Sequence, residues 1–112
     1  MYYQKRANKF GAKKTVWNGI QYDSKLEAGY AHDLDLLKKA GQVKDIQRQV
    51  RFSLDVNKIH IANYIADFVV TLPNGQKQVH ETKGFSTDVF RMKWKLMEAL
   101  YGDEYDLLLI KQ

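Results

Sequence analysis

Apolar and polar residues alternate along Val50-Arg51-Phe52-Ser53-Leu54-Asp55-Val56, the period of a strand with one buried face. Asn57-Lys58 reads as a turn into a second long strand, Ile59 to Leu72, rich in β-branched and aromatic residues. Pro73-Asn74-Gly75 then signals a tight turn into a third strand that ends near Lys83 and Gly84. Elsewhere the period is helical. Leu26, Tyr30, Leu34 and Leu37 recur at helical spacing between Asp23-Ser24 and Gly41. A second helix, about 87–101, opens at Ser86-Thr87-Asp88, ends at Gly102 and carries two neighbouring stripes. One stripe is Val89, Lys93, Leu96 and Leu100; the other is Phe90, Trp94, Met97 and Tyr101; both read as core. Thr15 to Tyr22 forms a small hairpin around Asn18-Gly19, with Trp17 and Tyr22 as core cover. Tyr105 to Ile110 reads as a closing strand buried on both faces. The expected fold is mixed α/β (α+β): hairpin, helix, three strands, helix, strand. The long strands run antiparallel, and the last is parallel to its neighbour after a helical crossover.

Charge placement gives this pattern a chemistry. Asp67 sits inside the most apolar run, where a carboxylate is costly to bury unpartnered. Glu81 and Lys83 are two apart and share a strand face. A two-residue Asn74-Gly75 loop would set Thr82 opposite Asp67. A three-residue loop, with Pro at the first turn position and Gly75 left-handed, sets Glu81 opposite Asp67 and Lys83 diagonal to it. The three-residue loop is the expected one, and it gathers two carboxylates and a lysine on one sheet face. Such a group suits metal-assisted phosphodiester hydrolysis, with the carboxylates holding a hard divalent cation and the lysine orienting water or offsetting negative charge.

Composition narrows the field. The 112-residue chain is long enough for one domain and has a net charge of +5, which favours an anionic partner such as nucleic acid. It has no cysteine, so disulfides, thiolate zinc sites and cysteine nucleophiles are excluded. With no long apolar run and no signal-peptide core, the expected location is cytoplasmic, without membrane contact. Residues 1–14 carry Lys5, Arg6, Lys9, Lys13 and Lys14 with no acid and no period, reading as a basic arm that either orders on a phosphate backbone or stays solvated. Residues 15–112 form the single domain. His32 and His60 lack ligand-spaced partners, and His80 alternates to the face opposite Glu81.

Asp67, thirteen residues, then Glu81-Thr82-Lys83 resembles the PD-(D/E)XK nuclease motif, with Ala66 where that motif has proline. Asp23-Ser24-Lys25-Leu26-Glu27-Ala28, Gln49-Val50-Arg51-Phe52, Tyr64 to Phe68, Glu81 to Gly84, and Lys95 to Gly102 together resemble a family of small phage-encoded nucleases of that superfamily, formerly a domain of unknown function. The resemblance spans about residues 15–110. It implies a restriction-endonuclease-like αβββαβ core and a Mg²⁺ cofactor, with Mn²⁺ as a substitute. Asp67, Glu81 and the backbone carbonyl of Thr82 would be ligands, and Lys83 the catalytic lysine. Glu27 is contested. Ser24-Lys25-Leu26-Glu27 fits a capping box, whereas the resemblance makes Glu27 an additional acidic group, reaching the metal through water. Ala28 and Ala31 would let its helix approach a sheet. Gln49 matches a glutamine of the family pattern and is a candidate for site or DNA contact.

Arg91, Lys93 and Lys95 follow closely on this motif and are candidate phosphate contacts. The expected activity is a Mg²⁺-dependent DNA endonuclease acting on branched DNA, by analogy with Holliday junction resolvases, which share such a core and work as homodimers. If phage-encoded, it would work in the host cytoplasm. The alternatives are a non-catalytic basic DNA-binding module and an accessory protein of a phage replication complex.

Overall fold

A computed structural model describes residues 15–17, 20–22, 24–83 and 86–111. The expected arm, residues 1–14, lies outside the described residues, and so do Asp23 and Gly84. The elements are β1 (Thr15–Trp17), β2 (Ile20–Tyr22), α1 (Lys25–Lys39), β3 (Asp45–Val56), β4 (Ile59–Thr71), β5 (Lys77–Lys83), α2 (Asp88–Tyr101) and β6 (Tyr105–Lys111). β1 and β2 pair antiparallel, Thr15 opposite Tyr22. The main sheet has the order β3-β4-β5-β6, antiparallel except for the parallel β5–β6 pair. The fold is therefore a mixed four-stranded sheet flanked by two helices, in the order expected from the pattern.

Local chemistry explains the joints. Ser24 caps α1, its Oγ accepting from the Glu27 amide at 3.1 Å, and Thr87 caps α2 through the Phe90 amide at 3.0 Å. Gly41 takes a left-handed φ of 82° just past α1. Asn57 and Lys58 both have positive φ, 51° and 66°, as a two-residue hairpin turn requires. The β4–β5 loop has three residues. The Leu72 amide bonds the Gln76 carbonyl, and Gly75, at φ 90°, takes the left-handed position. Its register, Phe68↔His80 through Thr71↔Lys77, is the one that directs Asp67 to Glu81.

Each helix covers its own half of the sheet. Against α1 pack Tyr22, Val43, Phe68 and Val70, with Ile46 at the margin. Against α2 pack Phe52, Leu54, Tyr64, Ala66, Val69 and Val79. Residues of one parity thus change sides along both strands: Ile46 and Phe68 face α1, whereas Val50 and Ala66 face α2. The change falls at Gln49 and Asp67, which the ladder skips between Arg48↔Phe68 and Val50↔Ala66; a separate register shift lies between Leu54 and Asp55. Gln49 adopts φ 53°, a conformation that costs a non-glycine residue about 1–2 kcal/mol, and this reverses the side-chain alternation.

Three expectations need correction. The buried stripe of α1 is Glu27, Ala28, Ala31 and Leu34, and Leu37 is exposed. Ala28 and Ala31, expected to face the sheet, are buried there together with Leu34. On α2 the stripe Phe90, Trp94, Met97 and Tyr101 faces the core, while Val89 and Leu100 are exposed. β6 is an edge strand covered on one side: Tyr105, Leu107 and Leu109 pack toward α2, and Leu108 is exposed.

Candidate active site

The β4–β5 ladder ends at Phe68↔His80, while β5 continues to Lys83 beside β6. The candidate residues meet where the two strands part. Asp67, Glu81, Thr82 and Lys83 are all buried. Asp67 Oδ2 accepts from the Thr82 amide at 2.9 Å and from Thr82 Oγ1 at 2.7 Å, which ties the carboxylate to the residue after Glu81. Lys83 Nζ lies 3.5 Å from Glu81 Oε2, and the other oxygen, Oε1, accepts from the Tyr64 hydroxyl. The Lys83 ammonium also sits 4.2 Å from the centre of the Phe90 ring, so α2 walls the lysine.

Burial dominates the electrostatics. It raises the Glu81 carboxyl well above the usual range, and the neighbouring Asp67 raises it further. The Tyr64 hydrogen bond works in the opposite direction, and Glu27 adds to the rise. Burial also lowers Lys83 to about 6. Burial raises the Tyr64 phenol well above its ordinary value, with Glu81 adding to the effect, so it remains a proton donor. A buried carboxylate held above its usual range by a second one beside it is a place where a divalent cation lowers the energy. Their hard oxygen donors suit Mg²⁺, which keeps several waters and needs few protein ligands. Among the described residues no three His, Asp or Glu side chains form a metal-holding group. The acidic side chains that the site brings together are those of Asp67 and Glu81.

Glu27 enters from α1. Its amide is the one capped by Ser24, but its buried carboxylate accepts from Gln49 Nε2 at 3.2 Å and lies 3.8 Å from Arg48. The Ser24 half of the expected capping box is present, and the Glu27 side chain turns toward Gln49 and Arg48 on β3. Arg48 stacks over Tyr22, 4.3 Å from the ring centre, and its Nε is buried without a hydrogen-bond partner. Gln49 is exposed yet touches Glu27, so its place in the pattern has a physical basis at the sheet's change of side.

The remaining candidates are more dispersed. Arg91 pairs with Asp88 and donates to Ser86 at 2.9 Å; Lys95 pairs with Glu98 at 3.3 Å; Lys93 is half-buried on α2. Lys5, Arg6, Lys9, Lys13 and Lys14 lie outside the described residues. His80 faces α1 as expected, its Nδ1 2.5 Å from the Tyr30 hydroxyl, and burial lowers it to about 4. His60 is exposed and bonded to Asp55 and Ser53. No described helix is long and apolar enough to cross a membrane.

Sequence reasoning missed Tyr64 and Arg48. Tyr64 reads as one more aromatic in an apolar strand, and its odd spacing from Asp67 would put it on the opposite face of a regular strand; the change of side at Gln49 and Asp67 is what hides it. Arg48 precedes the motif glutamine and has no pattern of its own.

A family model described as "Protein of unknown function (DUF1064)" matches residues 7–111. No curated protein matches the chain.

Proposed function

The chain belongs to the DUF1064 family, and from that premise we propose that it is a divalent-metal-dependent DNA endonuclease of the PD-(D/E)XK kind. One observation carries the reading: the three-residue β4–β5 loop registers Asp67 toward Glu81, and both lie buried beside Lys83 where the strands part. A structural ion pair explains Glu81 and Lys83 alone. It gives no reason to bury a further carboxylate next to them in a basic protein.

Asp67, Glu81 and the Thr82 carbonyl would hold Mg²⁺. The bound cation supplies Lewis-acid stabilisation of the phosphate and acidifies a water. The protein's own part is positioning. The Thr82 amide and hydroxyl fix Asp67, and Tyr64 and Lys83 bracket Glu81. Lys83, protonated when carboxylate charge and a phosphate surround it, stabilises negative charge developing on the phosphoryl oxygens. Glu27, held by Gln49, adds acidic charge from the α1 side and orients water.

Branched DNA is the proposed substrate, cut by a homodimer, because two symmetric nicks suit two sites related by a twofold axis. The test uses an end-labelled four-way junction and a matched linear duplex, each with Mg²⁺ and with EDTA. Paired Mg²⁺-dependent nicks confined to the junction are expected. Cutting of both substrates keeps the nuclease and removes the junction preference. Binding without cutting in Mg²⁺ or Mn²⁺ overturns the proposal in favour of a non-catalytic DNA-binding module.

A further inference from the structure

We propose that Tyr64 is a positioning residue whose phenol fixes the orientation of Glu81 as an oxygen donor to the divalent cation. The inference rests on the reading of Asp67 and Glu81 as the metal-holding pair.

Tyr64 lies on β4, three residues before Asp67, and is 4% exposed. Its hydroxyl donates to Glu81 Oε1, while Lys83 approaches Oε2. The carboxylate is thus gripped at both oxygens from the side covered by α2. The Tyr64 ring meets Trp94 edge-on at 6.0 Å, and Trp94 stacks on Phe90 at 5.7 Å. Phe90 in turn lies under the Lys83 ammonium at 4.2 Å. One aromatic wall therefore backs both groups that touch Glu81.

A buried tyrosine needs an acceptor, and a backbone carbonyl would serve. This one instead takes a carboxylate that is itself costly to bury, so the bond helps keep an ionisable oxygen pair at a fixed angle. Partners that orient a ligand in this way typically carry a tenfold to hundredfold share of metal affinity. Removing the hydroxyl leaves Glu81 with Lys83 at one oxygen only, so its orientation is less fixed, cation binding weakens, and the buried oxygen that loses its donor also lowers stability.

The test is calorimetric titration of Mn²⁺ into the DNA-free full chain, with electron paramagnetic resonance of the bound ion and a thermal melt of each protein. Tyr64→Phe should weaken Mn²⁺ binding about tenfold to hundredfold in a protein that still folds, with a lower melting temperature from the donor lost to the buried carboxylate. Tyr30→Phe, which removes the hydrogen bond of a half-buried phenol on the α1 side, should leave Mn²⁺ binding at the wild-type value. Trp94→Phe keeps the hydroxyl but loosens its wall, and should weaken binding by a smaller factor. It also carries the test if Tyr64→Phe does not fold. Wild-type affinity in the folded Tyr64→Phe protein, or in Trp94→Phe where that variant stands in, overturns the inference and leaves the metal site standing. Absence of Mn²⁺ binding in the wild type overturns the metal site itself, and the inference with it.

Discussion

Lys83 shows how a single position carries both a stability cost and a chemical role. Its folded pKa is about 6, lowered by burial from 10.5. Between those values the unfolded chain binds more protons, so this residue makes stability rise with pH from about 6 toward 10.5. Glu81 acts in the opposite sense: with its folded value raised, stability falls as pH climbs above the ordinary glutamate range. Lys83→Met is expected to abolish the lysine's share, flattening the rise in denaturation midpoint above about pH 6 in metal-free buffer. An unchanged pH profile would show that the lysine is not desolvated. Asp67, Glu81 and Lys83 were legible in the sequence because a carboxylate in an apolar run and a two-residue charge spacing are both conspicuous. Tyr64 was not, because a tyrosine in a strand looks the same whether its hydroxyl meets water, a carbonyl or a carboxylate.

At the scale of elements, the β4–β5 hairpin sets the site. Pro73, Asn74 and Gly75 specify the loop length, so the register follows from the turn chemistry alone. Gly75 has no side-chain obstruction around it, and its φ of 90° is the whole reason for glycine there. Inserting one glycine between Asn74 and Gly75 is expected either to bulge harmlessly or to slip the register. A slip would turn Glu81 and Lys83 to the α1 face and abolish cleavage. Amide exchange across Val69↔Val79 and Thr71↔Lys77 distinguishes the two outcomes, and activity should follow the register. Loss of cleavage with native pairing intact would contradict this account. The change of side at Gln49 and Asp67 was not legible, because a left-handed glutamine leaves no compositional mark. On the helices, Ala28, Ala31 and Leu34 are buried, whereas the hydrophobic Leu37 and Val89 stay exposed.

Across the whole molecule, the excess of 18 Lys and Arg over 13 Asp and Glu is carried by Lys5, Arg6, Lys9, Lys13 and Lys14, and residues 15–112 are balanced. Arg91 and Lys95 form exposed ion pairs on α2, and Arg91 also donates to Ser86; such exposed pairs are worth about 0–1 kcal/mol and give way readily to phosphate. Replacing Arg91 or Lys95 by glutamine should weaken binding similarly for all sequences. It should also lower the slope of log affinity against log salt by about one for each phosphate that is no longer neutralised. An unchanged slope for both variants would remove α2 from the DNA surface. The αβββαβ order and the parallel last strand followed from the spacing of turns and helix caps. The one-sided covering of β6 did not, because an apolar run does not say how many of its faces are covered.

The central claim is that the buried Asp67–Glu81–Lys83 group hydrolyses phosphodiester bonds with a divalent cation. The most direct measurement compares single-turnover cleavage of a four-way junction by the wild-type protein and by folded Lys83→Met, at equal saturation with DNA and Mg²⁺. The account predicts a rate at least about 100-fold lower for the variant, with DNA binding retained. A folded Lys83→Met protein that cuts at the wild-type rate would contradict it.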